Sequence, residues 1–181
     1  MLYASSAVNV VGDWALTADT SAAGGVRMQN ANLRAPKANA SATPSSSFDL
    51  VFEADAGKPY YLWVRGRALK DDLSNDSVYV QFDGSVTASG TPANRIASTT
   101  AQSVLLENCS GCGIKGWGWT DNTYGGAGSP IYFATSGTQR LRVQPREDGL
   151  AIDQIVLSKA KYTGNAPGSP KNDIVILPPT N

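Results

Sequence analysis

The sequence contains no histidine. That absence removes the Ser/His/Asp and Cys/His nucleophile pairs, the usual imidazole general base and every metal site built on a histidine ligand. Cysteine is nearly as scarce. The chain has 2, Cys109 and Cys112, in a single C-x-x-C that is too short of thiolates for a four-ligand zinc site. Ser110, Gly111 and Gly113 around them provide no helix start of the kind that activates a redox pair. A small loop-closing disulfide is the expectation, with two free thiols as the alternative. Excess charge is also missing, since 15 Lys and Arg offset 15 Asp and Glu. Nothing global steers the molecule towards nucleic acid or an anionic membrane. No run of about 18 apolar residues occurs and no charged-then-apolar leader precedes Tyr3, so neither a membrane span nor an intact signal peptide is expected.

The chain's 181 residues suffice for one domain with a sizeable core. Its apolar residues recur with period two, and clusters of Gly, Pro, Ser, Asn and Asp punctuate them. In PYYLWVRGRA (59–68), Tyr60, Leu62 and Val64 share one face, while Tyr61, Trp63, Arg65 and Arg67 share the other. DSVYVQFDG (76–84) sets Val78, Val80 and Phe82 against Tyr79 and Gln81, and QRLRVQPRE (139–147) sets Leu141 and Val143 against Arg140, Arg142 and Gln144. Further strands are predicted at 14–17, 48–54, 103–107, 129–135 and 150–158. This pattern predicts an all-β fold, a two-sheet antiparallel β-sandwich of the jelly-roll kind over residues 1–160. Residues 21–47 read as an irregular wrap. Residues 161–181 read as a Pro- and Gly-rich tail or linker whose apolar patch, Ile174 to Leu177, could dock back on the body.

The fragment REDGLAIDQIVLS (146–158) resembles the closing strand of bacterial carbohydrate-binding modules of the galactose-binding-like jelly-roll type, near families 6 and 35 and the malectin-like domains. DWALTADTSAAGG (13–25), YYLWVRGRA (60–68) and NDSVYVQFDG (75–84) resemble other segments of those modules, in the same order. The resemblance implies a non-catalytic module that binds a poly- or oligosaccharide at loops on one rim. It also implies a monomer that is secreted or displayed on a cell surface beside neighbouring domains, without nucleic acid or membrane as a partner. Those modules often hold a structural calcium between an acidic residue of the first strand and the Asp of an I-D-x-I motif. Asp153 matches the second ligand, but the first-strand position reads Tyr3-Ala4-Ser5-Ser6, with no carboxylate. Calcium is therefore an optional ligand, and no cofactor is required.

The stretch CSGCGIKGWGWTDNTYGGAG (109–128) is where a sugar site is expected. A pyranose offers C–H groups to an aromatic face while its hydroxyls need in-plane partners. Trp117, Trp119 and Tyr124 would supply faces, and Asp121 and Asn122 hydrogen bonds. A packing role for one tryptophan is the plain alternative. A second candidate is the face bearing Trp63, Arg65, Arg67 and Tyr79 with Gln81, Arg140 and Arg142, whose guanidinium groups would suit carboxylated or sulfated sugars. Covering of aromatic rings and pairing with acids is the competing reading of those arginines. Two other function classes compete with sugar binding. One is a structural or adhesive sandwich; the other is a small carboxylate-based hydrolase or lyase, for which no facing acid pair stands out in the sequence.

Overall fold

In the computed structural model, which describes residues 1–179, the alternating segments form strands whose apolar members meet between two sheets. In chain order the strands are β1 (Leu2–Tyr3), β2 (Val8–Val11), β3 (Trp14–Ala18), β4 (Val26–Asn30), β5 (Ser47–Ala54), β6 (Tyr61–Ala68) and β7 (Ser77–Phe82). They continue with β8 (Ser85–Val86), β9 (Gln102–Leu105), β10 (Gly118–Thr120), β11 (Tyr132–Phe133), β12 (Gly137–Pro145) and β13 (Leu150–Ser158). One sheet has the order β10-β6-β13-β4-β3, with β1 also paired to β13; the other has the order β2-β5-β12-β7-β9. Every pairing between these strands is antiparallel. The chain is a two-sheet antiparallel β-sandwich, as its periodicity predicts.

Leu62 and Val64 of β6, Val78, Val80 and Phe82 of β7, Leu141 and Val143 of β12, and Ile152 and Ile155 of β13 lie in one buried cluster. Each such side chain contributes about 1.5–3 kcal/mol of transfer free energy. The register between Ile152 and Gln154 is broken by a bulge in β13 opposite β6, which takes Asp153 out of the simple alternation.

Two segments depart from the sequence-based expectation. Val26–Asn30, within the predicted wrap, is a strand, because β3 and β13 hydrogen-bond it from both sides and outweigh its weak pattern. Gly118–Thr120, within the predicted loop, is an edge strand on β6. The tail docks on the outer face of the first sheet. Trp119 N donates to Ser169 O at 3.0 Å, Asn172 N to Lys115 O at 2.7 Å and Asp173 N to Trp117 O at 2.8 Å, and Leu177 N donates to Gln154 Oε1 at 3.1 Å. The sandwich has two ends. Connections 69–76, 106–117 and 146–149 gather at the upper end, and 55–60, 83–101 and 134–136 at the lower.

Candidate functional site

The glycine-rich stretch turns its tryptophans inward. As β10 pairs with β6, Trp119 falls on the sheet's outer face, where it packs with Trp63 and Val156 beneath Tyr162, Ala166 and Leu177. Its indole N–H donates to Val175 O at 3.3 Å. Trp117 packs on Ala22 and Ala151, its indole donates to Ser21 Oγ at 2.9 Å, and the Arg65 guanidinium lies 4.9 Å from its ring centroid. Trp117 is 4% exposed and Trp119 1%. Their expected role as stacking platforms is corrected, because neither indole leaves a face open to a pyranose.

The polar residues beside them organise a loop. Asp121 is buried, and its carboxylate accepts from Thr123 N at 3.0 Å and Gly128 N at 2.7 Å. Burial pushes its pKa up, against the pull of those amides. Asn122 Nδ2 donates to Gln102 Oε1 at 3.1 Å and Ser129 O at 3.0 Å. Tyr124 is 51% exposed and lies in the loop after β10. Cys109 and Cys112 form a disulfide, with Cα atoms 5.3 Å apart.

The second candidate face divides in two. Trp63, Arg65 and Arg67 belong to β6, whereas Tyr79, Gln81, Arg140 and Arg142 belong to β7 and β12 of the other sheet, so they lie on opposite outsides of the sandwich. Trp63 is buried and donates to Tyr162 O at 2.7 Å. Arg67 and Tyr79 are half-buried, and the Tyr79 hydroxyl donates to Ala38 O at 3.3 Å. The guanidinium groups of Arg65, Arg140 and Arg142 are already used. Arg142 grips the buried Asp49 through two hydrogen bonds, at 2.8 and 3.0 Å, which push the Arg142 pKa up. Arg140 pairs with Asp49 at 3.4 Å and Asp83 at 3.1 Å. Arg65 pairs with Asp153 and Asp173. Acids and an aromatic ring hold three of the four arginines that an anionic sugar would need.

Besides a smaller one of about 220 Å³ beside Ser41, Ser46 and Gln144 that has no aromatic ring, three concavities are open among the described residues. The lower-end cleft, about 360 Å³, is floored by Phe82, Val86 and Ile131 and walled by Tyr132 and Pro130. Ser85, Thr87, Asn94, Gln102 and Ser129 add polar atoms, and no charged side chain lines it. Tyr132 and Gln102 are half-buried. The Tyr132 hydroxyl, the Asn94 amide and Gln102 Nε2 make no hydrogen bond within the described residues. Gln102 Oε1 is fixed by Asn122, so its free amide nitrogen is pre-oriented. An upper-end cleft of about 470 Å³ contains Arg34, Lys70, Asp72 and Asp148 and no aromatic ring. A groove of about 570 Å³ beside the disulfide is lined by Leu106, the cysteines, Pro170 and Lys171 of the tail and glycine loops, and few free polar side chains. The lower cleft alone joins an aromatic wall to unbonded neutral donors and acceptors.

Tyr132, Asn94 and Gln102 are the residues that the motif reading missed. The signal for Tyr132 was present: in S-P-I-Y-F, Ile131 and Phe133 are buried, so alternation turns Tyr132 outward. Asn94 carries no such pattern. Compared with known proteins, the chain matches no family model and no curated relative.

Proposed function

We propose that the chain is a non-catalytic carbohydrate-binding module whose site is the lower-end cleft. The observation that carries this reading is the lining of the cleft, an apolar floor and one aromatic wall facing neutral hydroxyl and amide groups. A sugar has the same division, with C–H patches for the wall and hydroxyls for the amides. Because no lining residue is charged, the ligand is a neutral poly- or oligosaccharide rather than a uronate or sulfate ester. Secretion fits the disulfide, which persists in oxidising compartments. The non-catalytic reading is supported by the acids. Asp76 and Glu147, which face each other, are covered by Lys37, Ser77 and the Glu107 amide and line neither end cleft, while Asp72 and Asp148 of the upper cleft each accept from backbone amides, of Ser74 and of Leu33 and Ala35.

The test is calorimetric titration of neutral and acidic plant, algal and fungal oligosaccharides. A neutral sugar is expected to bind, and Tyr132→Ala and Gln102→Ala to weaken it roughly tenfold or more, as loss of a stacked ring or a directed hydrogen bond does. Melting temperatures should stay within a few degrees of wild type. Unchanged affinity in both variants would refute the assignment of the cleft, and a panel in which only acidic sugars bind would refute the neutral class.

A further inference from the structure

The closing-strand aspartate that resembles a calcium ligand is held here by a different cation. Asp153 is fully buried, and its Oδ2 accepts from Arg65 Nη1 and, at 2.7 Å, from Ala23 N. Arg65 is 1% exposed. Its Nε lies 3.4 Å from Asp173 Oδ1, its Nη2 donates to Asp173 O at 3.2 Å, and its plane lies over Trp117. Burial pushes the Asp153 carboxyl up to about 6, while the Ala23 amide and Arg65 pull it down, so at neutral pH it is ionised beside the guanidinium. Asp153 Oδ1 has no partner, yet a dication bound through it would sit against Arg65 and be repelled. Calcium needs about six to eight oxygens. The other Asp173 oxygen is taken by Ser169 N at 2.7 Å, and Asp19, the nearest acid of the preceding loop, is paired with Arg27 at 2.7 Å. The donor set does not fit a calcium ion.

We propose that Arg65 serves as an internal cation where similar modules use calcium, and that it binds the C-terminal segment as a permanent third layer of the domain. The segment supplies Asp173, whose Oδ1 and main-chain carbonyl face the remaining guanidinium nitrogens, so that one buried guanidinium is shared between two carboxylates. The fit is tight on both sides. A side chain at Gly118 would collide with the Pro170 carbonyl, and one at Gly168 would meet the Asp173 carboxylate and, at 2.8 Å, Trp119 Cδ1. Such close approach requires a segment folded together with the sheet. A metal ion exchanges with solvent, whereas a guanidinium held covalently on β6 does not. The third layer should therefore ignore chelators.

Two measurements on the full chain test this. In the first, melting temperature is recorded after chelator treatment and again in millimolar calcium. The two values are expected to coincide, and a calcium-dependent rise of several degrees would overturn the substitution, because a ligand of the native state stabilises it by mass action. In the second, hydrogen exchange is compared between wild type and Asp173→Asn, which keeps the Arg65–Asp153 pair and the main core. Amides of residues 168–177 are expected to exchange at least tenfold faster in the variant, with β12 and β7 unchanged. Equal protection of the segment in both proteins would show that Arg65 does not hold it. Arg65→Lys supplies a third reading. A point charge cannot span both acids as the guanidinium fork does, so faster exchange of 168–177 is expected there too, and wild-type protection would count against the proposal.

Discussion

At the scale of single residues, the group with the clearest response to pH is Asp76, at the upper end. Its carboxyl is buried and faces Glu147, whose oxygens are held by Lys37 at 2.7 Å and Ser77 Oγ at 2.5 Å, with Arg146 at 3.9 Å. Burial, then the hydrogen bond to Glu147, pushes the Asp76 pKa up to about 7, although the Glu107 amide pulls against it. Burial would raise Glu147 as well, but the hydrogen bonds from Lys37, Ser77 and Asp76 outweigh it and hold Glu147 below its usual range. An acid whose folded value is raised contributes stability that is complete below its ordinary value, near 4, and lost as pH climbs through the folded one. Glu147 has the opposite sign and acts only on the acid side. Denaturant midpoints of the wild type should therefore fall between about pH 5 and pH 7 and level off above. Asp76→Asn, which keeps a donor for Glu147, should flatten that slope; an equally steep slope in the variant would place the titration elsewhere.

At the scale of elements, β10 shows what the sequence concealed. Gly-Trp-Gly-Trp reads locally as a loop because glycine weakens a strand, and only the pairing partner β6 and the covering tail, distant in sequence, make it one. Gly118 is needed for that cover rather than for a turn. Gly118→Ala is expected to cost about 1–3 kcal/mol through overpacking, read as a lower melting temperature with faster exchange in the tail and an intact sandwich. β6, β7 and β12 were legible because each alternates along the strand, and β13 because of its long apolar run despite the bulge at Asp153; their inward residues are the core. β4 was not, since its stability comes from two neighbours. The exposure of Trp117 and Trp119 was misjudged for the same reason. Aromatic residues in a glycine-rich stretch look exposed until the segment that buries them is known, while Tyr132, in the strand predicted over 129–135, was read only for its pattern.

At the scale of the whole molecule, all four tryptophans are buried: Trp14 and Trp117 in their own clusters, Trp63 and Trp119 beneath the tail. Their emission should be blue-shifted and resist quenching by iodide. Saturation with a sugar at the lower cleft should leave it almost unchanged, since no tryptophan lines that cleft. A large ligand-induced change would move the site to the β6 face. No helix among the described residues is long and apolar enough to cross a membrane.

The Tyr3 hydroxyl donates to Leu177 O at 2.5 Å, and Met1 packs in the same cluster as Leu177. The start of the sandwich and the end of its third layer therefore meet on one flank. Proteins fused to both ends would leave the domain side by side, like two stems from one node. The domain would behave as a lateral branch on such a fusion rather than a spacer within it, adding little to the distance between its neighbours.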